Sequence, residues 1–148
     1  MSGVKALLQR VSSASVEVGG AVIAEISQGL LVFVGFFPED GAAQINWMAD
    51  KLVGLRIFPD ENKPMNASVA DVGGEVLIVS QFTLAADTSR GKRPGFSSAA
   101  PPPLANTLYG QFVAAVRERY PRVATGEFGA DMQVSLVNDG PVTFLLER

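Results

Sequence analysis

Leu30-Leu31-Val32-Phe33-Val34-Gly35-Phe36-Phe37 is an unbroken apolar run of strand length. A strand facing solvent alternates apolar and polar residues, so a continuous run reads as a strand buried on both faces. Such a strand needs a layer on either side, and the flanking sequence shows what is available to supply them.

Upstream, residues 4–11 read as a strand. Residues 15–18 and 21–26 read as the arms of a hairpin around Gly19-Gly20, and Gly29 breaks the pattern. Downstream, Asp40 is placed to cap a helix that runs to about Gly54. Ile45, Met48, Ala49 and Leu52 form its apolar stripe, and Gly54 is its stop. Residues 55–58 look extended, 59–66 form a loop, and Gly73-Gly74 turns into a strand at 75–79. Residues 86–103 are irregular. A second helix is predicted over 104–120, with Leu104, Leu108, Phe112 and Ala115-Val116 on one face and Pro121 just beyond its end. Met132, Val134 and Leu136 alternate as in a strand, Asp139-Gly140-Pro141 reads as a turn, and 142–146 as a closing strand.

Two helices are too few to cover both faces of a large parallel sheet. The expected fold is therefore α/β of the α+β type. Its sheet is mixed, mostly antiparallel and barrel-like, with the two main helices on one side. Residues 1–148 read as a single domain, without linker, repeat or charge block.

Composition narrows the chemistry. Hydrophobic residues make up 47% and charged residues 18%, as in a globular protein with a real core. No apolar stretch approaches bilayer length and no secretory signal is visible, so the expected address is cytoplasmic, with no membrane partner. A net charge of −3 argues against a protein that coats nucleic acid, and no DNA partner is expected. A local contact with one RNA end stays open. The chain has no histidine and no cysteine. Ser-His-Asp and Cys-His machinery is excluded, and no phosphate loop or dinucleotide fingerprint is present. Neither metal nor cofactor is expected, and no pair of carboxylates has hydrolase spacing.

Three segments remain. Ser80-Gln81-Phe82-Thr83 combines two hydroxyls, an amide and backbone N–H groups at a strand end. Backbone donors there can stabilise an oxyanion without an ionisable side chain, and the same hydroxyls equally serve to satisfy a fraying strand. Gly140-Pro141 is ordinary turn chemistry unless its peptide bond is cis, which would present its carbonyls as a rigid acceptor pair. Arg90-Gly91-Lys92-Arg93-Pro94 is a compact basic loop that suits a phosphate or a nucleic-acid end, or simply a solvated surface. Phe96 nearby can stack on a base or fill a gap.

Motifs along nearly the whole chain resemble the D-aminoacyl-tRNA deacylases. They are Gln9-Arg10-Val11, Leu55-Arg56-Ile57-Phe58, Met65-Asn66 with Ser68-Val69, Ser80-Gln81-Phe82-Thr83-Leu84, Arg93-Pro94, Thr125-Gly126-Glu127-Phe128-Gly129-Ala130 with Met132, and Asn138-Asp139-Gly140-Pro141-Val142-Thr143. The resemblance implies a carboxylic ester hydrolase that removes D-amino acids from mischarged tRNA, a form of translation quality control. It implies a homodimer with active sites at the interface and the tRNA 3′ end as partner. In the family a cis Gly-Pro reaches into the partner's site, holds the substrate amino group and leaves no room for an L side chain; Gly140 and Pro141 match it. Arg10 matches the arginine that locks that motif, and Phe128 and Met132 match the pocket for the terminal adenosine.

Ser80, Gln81, Phe82 and Thr83 match the catalytic segment. With no base in the sequence, the expected chemistry enlists the substrate 2′-hydroxyl, backed by N–H groups around Phe82 and Thr83. Glycine has no side chain to reject, so cleavage of glycyl-tRNA is expected as well. Ala85 stands where many relatives have tyrosine and Gly95 where serine is usual. Ser80 and Val142 fit the D-specific branch better than a related branch that acts on L-alanine. The alternatives are a non-catalytic module that binds tRNA 3′ ends, an esterase with Thr83 as nucleophile, and a hydrolase of free D-amino-acid esters.

Overall fold

The computed structural model describes residues 3–148. Its elements run β1 (Lys5–Val18), β2 (Ala21–Ile26), β3 (Gly29–Gly35), α1 (Ala42–Gly54), β4 (Glu75–Ser80), a 3-10 turn (Phe82–Ala85), α2 (Pro102–Arg119), β5 (Val123–Thr125) and β6 (Gln133–Glu147). The run that opened the sequence reading is β3, and Leu30, Leu31, Val32 and Val34 are completely buried.

β1 is the strand on which the sheet is built. β6 lies antiparallel along one edge from Lys5 to Glu17, so β2 and β3 share the other edge. β3 takes the first half of β1 and β2 the second, both antiparallel. β4 then adds to β3, and β5 to β4, both in parallel. Each parallel step requires a crossover, and α1 and α2 supply the two. Crossovers in a twisted sheet are right-handed, so two steps in the same direction put both helices on the same face. α1 and α2 pack there against each other. The mixed, mostly antiparallel sheet with both helices on one side agrees with the expectation from the sequence.

Two cores result. Ala6, Leu8, Leu30, Val32, Val34, Val76 and Ile78 face the helices and meet Ile45, Met48, Leu52, Phe112 and Val116. Val11, Ala14, Val16, Ile26, Leu31, Leu77 and Val79 fill the other side, where the sheet curls over itself. At about 1.5–3 kcal/mol for each large apolar side chain buried, the four-residue stripe of α1 alone holds that helix in place.

Several local expectations change. Residues 4–11 and 15–18 are one strand, β1, whose halves bury side chains in different cores. Irregularities between Gln9 and Ser13 make that switch possible. Gly29 opens β3 instead of breaking a pattern. A Cβ there would lie 1.8 Å from the Glu75 carbonyl oxygen, so only glycine lets β4 approach. Asp40 does not cap α1. Gly41 is the N-cap, and the Gln44 side chain accepts its N–H at 2.9 Å. β5 had no counterpart in the sequence reading.

The expected turn at Asp139-Gly140-Pro141 is a bulge inside one continuous strand. Gln9 pairs with Thr143 and Val11 with Asn138, so Arg10 alone faces Asp139, Gly140, Pro141 and Val142. The Gly140–Pro141 peptide is cis, and Gly140 has φ 136°, a region closed to other residues. Proline has no N–H to give a ladder, so a bulge is where a strand tolerates it.

Candidate active site

Ser80 ends β4 beside the end of β3. The Gln81 N–H donates to the Val34 carbonyl at 2.8 Å, and the chain then tightens into the 3-10 turn. A Cβ on Gly35 would lie 2.7 Å from the Gln81 carbonyl oxygen, so the glycine lets the turn press against β3. This junction floors a cavity of about 820 Å³. Its lining includes Ser80, Gln81 and Phe82, then Phe128 and Met132, and Pro101, Pro102 and Ala105 at the start of α2. Five of the residues singled out in the sequence therefore meet around one space.

The two aromatic walls differ. Phe82 and Phe96 pack against each other at a tilt of 59°, centroids 5.2 Å apart, and open the cavity to solvent, being 53% and 44% exposed. Phe128 is braced from behind by Tyr109, ring centroids 6.0 Å apart. The Tyr109 hydroxyl donates to the Ile78 carbonyl at 2.8 Å, and the Gly126 N–H donates to that same oxygen at 3.0 Å. Burial pushes the Tyr109 phenol up to about 12, so it stays a neutral donor. Met132 lies over Gly126, where a Cβ would come within 2.8 Å of its sulfur.

Thr83 stands just outside the lining, and its hydroxyl accepts a hydrogen bond from the Gln81 side-chain amide. An amide is not a base, so nothing observed at Thr83 prepares it as a nucleophile. The backbone N–H groups of Phe82 and Thr83 meet no acceptor among the described residues, as expected for the opening of a helical turn. They are available to an oxygen of a bound molecule.

Gly140, Pro141 and Arg10 are not brought to this cavity. Arg10 donates from Nε to the Asp139 carbonyl at 3.0 Å and from Nη1 to the Ile57 carbonyl at 2.8 Å, and its Nε lies 3.7 Å from Asp139 Oδ2. It fastens the bulge to the 55–58 segment. Asn138 spans the bulge, accepting the Val142 N–H at 3.1 Å and donating to the Thr143 hydroxyl at 3.0 Å. Neither Tyr109 as a brace nor the Pro101-Pro102 start of α2 as part of the lining was legible in the sequence. A proline pair opening a helix beside an irregular segment was the available signal.

Fold and cavity define a small mixed-sheet protein with a mainly apolar, aromatic-walled site whose polar side chains are Ser80, Gln81, Ser97 and Asp131. The chain belongs to the D-Tyr-tRNA(Tyr) deacylase family, whose model matches residues 7–147. It is 59% identical over 143 residues to the D-aminoacyl-tRNA deacylase of Pseudomonas aeruginosa (strain UCBPP-PA14), covering 97% of this chain and 99% of that one. It is 56% identical over 144 residues to the D-aminoacyl-tRNA deacylase of Pelobacter propionicus, with the same coverage. Among solved structures, a c-Myc DNA Unwinding Element Binding Protein superposes with a TM-score of 0.93 at 41% identity, covering 97% of this chain and 98% of that one. A probable eukaryotic D-amino acid tRNA deacylase has a TM-score of 0.82 at 16% identity, which speaks to the fold.

Proposed function

We propose that the chain hydrolyses the ester joining a D-amino acid to the terminal ribose of tRNA, releasing the free D-amino acid and tRNA. Its family and its full-length likeness to D-aminoacyl-tRNA deacylases support a hydrolase of this class. The observation that carries the reading is the meeting of Ser80, Gln81 and Phe82 with Phe128 and Met132 around one cavity. The apolar wall suits the face of an adenine, and the strand-end floor suits an ester carbonyl.

An aminoacyl ester is already activated, so orientation supplies much of what is needed. Well-placed neighbouring groups contribute up to about 7–11 kcal/mol. In this reading the 2′-hydroxyl of the terminal adenosine positions the attacking water. The N–H groups of Phe82 and Thr83 receive the negative charge that develops on the carbonyl oxygen.

Chirality is read by the Gly140–Pro141 bulge of a second copy. Within one copy the bulge is anchored by Arg10 and takes no part in the cavity lining. β6, which carries it, exposes the apolar side chains of Val137 (56%), Phe144 (37%) and Leu145 (51%), which pairing in a homodimer would cover. Bulge carbonyls hold the substrate ammonium, and the backbone occupies the space an L side chain needs. Glycyl-tRNA passes this filter and is cleaved too.

The test is release of amino acid from D-tyrosyl-tRNA and L-tyrosyl-tRNA. Rapid release from the D ester alone is expected. Equal release from both, or from neither, overturns the proposal. Thr83→Ala is expected to retain activity and a substrate lacking the 2′-hydroxyl to lose it; a dead variant with a reactive deoxy substrate reverses the chemistry.

A further inference from the structure

The segment between Asp87 and Gly95 has no part in the site described so far. Asp87 and Gly95 exchange both backbone hydrogen bonds at 2.8 Å, closing a loop at its neck. Gly91 turns its tip with φ 61°. The Asp87 carboxylate is occupied at the neck, accepting from the Ser89 N–H and hydroxyl at 2.9 and 2.6 Å. Arg90, Lys92 and Arg93 are all exposed. None of them forms an ion pair or side-chain hydrogen bond among the described residues, where the ion pairs are Arg10–Asp139 and Arg119–Asp50.

Position gives the loop its meaning. Phe96, the next residue after the neck, lines the cavity, is half-exposed and packs at a tilt against Phe82. A loop of this length, folded back on itself, extends no more than about 12 Å from its neck. Three of the twelve lysines and arginines of a chain with net charge −3 are thus gathered beside the cavity entrance. Cations held out on a pinned loop, with no partner in the protein, suit a polyanion that enters by that mouth.

We propose that Arg90, Lys92 and Arg93 grip the phosphates of the RNA strand leading out of the cavity, so that the loop provides affinity for the tRNA body while the cavity handles the ester. This rests on the tRNA reading above. Phosphate contacts supply affinity and register without reading sequence, and each released counterion adds to the salt dependence.

The experiment compares the unchanged protein with Arg90→Ala/Lys92→Ala/Arg93→Ala on three probes. These are D-tyrosyl-tRNA, the D-tyrosyl ester of adenosine, and uncharged tRNA for direct binding across a salt series. The ratio of kcat/KM for the tRNA ester over the adenosine ester is expected to fall tenfold or more, through KM. The slope of log affinity against log salt for uncharged tRNA is expected to fall by about 2, at about 0.7–0.9 per lost phosphate contact. A ratio within twofold of the original, or an unchanged slope, overturns the proposal. Equal losses on both esters overturn it too, since they show that the loop shapes the cavity. Arg90→Lys/Arg93→Lys keeps the charges and is expected to restore both readouts. Hydrolysis of neither ester by the unchanged protein sinks the deacylase reading alone, and the binding slope still decides the role of the loop.

Discussion

Asp40 ties two distant backbone segments with one carboxylate. Its oxygens accept the Val4 N–H at 3.0 Å and the Phe37 N–H at 2.7 Å. Burial raises its pKa above the usual carboxylate value even though both donors pull it down. Asp40→Ala leaves those N–H groups without a partner and is expected to lower the unfolding free energy by about 2–3 kcal/mol, read from urea denaturation. The sequence made Asp40 a helix cap, because Asp before an apolar stripe is a capping signal. Its true acceptor role depends on Val4, whose nearness in space leaves no local trace. Tyr109 supports a second prediction. Its folded pKa of about 12 exceeds the unfolded value near 10, so the folded protein holds that proton more tightly. The associated stability is complete below pH 10 and is lost as pH rises towards 12. Relative to Tyr109→Phe, the unchanged protein is expected to lose about 2–3 kcal/mol over that interval, measured by denaturation at fixed pH steps.

Among the elements, those with long periodic patterns were legible and those defined by a partner were not. The β3 run, the α1 stripe and the Met132-Val134-Leu136 alternation each mark their element within a few residues. β5 spans three residues and exists because β4 offers an edge. The β6 bulge was read as a turn, since Asp-Gly-Pro is turn chemistry wherever it occurs and only pairing with β1 on both sides shows a continuous strand. Arg10 is the bond that keeps this bulge in place. Arg10→Ala removes two hydrogen bonds from a charged donor and is expected to cost about 2–3 kcal/mol of stability. It is also expected to lower deacylation of D-tyrosyl-tRNA more than tenfold at temperatures where the variant is fully folded. Parallel melting and kinetic measurements separate the two effects.

For the molecule as a whole, the cavity joins Pro38, residues 79–82, parts of the segment from Phe96 to Ala105, and residues 128–132 with Val134, which no local pattern connects. Ser80, Gln81 and Phe82 were singled out from their chemistry. Phe128 and Met132 came through resemblance, because an aromatic and a thioether in isolation look like core. The proposed pairing of two copies gives the molecular-scale prediction. Val137→Asp/Leu145→Asp places charges at two exposed apolar positions of β6 and is expected to yield a folded monomer with less than a tenth of the activity. Light scattering, circular dichroism and the D-tyrosyl-tRNA assay together check it. Among the described residues no helix is long and apolar enough to cross a membrane.

The pairing of β1 with β6 also bears on how the protein is born. Lys5 lies opposite Glu147, so the strand that emerges early from the ribosome waits for one made near the far end of the described chain. At roughly 5–20 residues per second, that wait is on the order of 6–25 s. Through this interval β1 has a bare edge open to wrong pairing, and neither core can be sealed. Nascent chains that lack β6 are also without the side chains it gives to the interior, Val142 and Leu146 in one core and Val134 and Leu136 in the other.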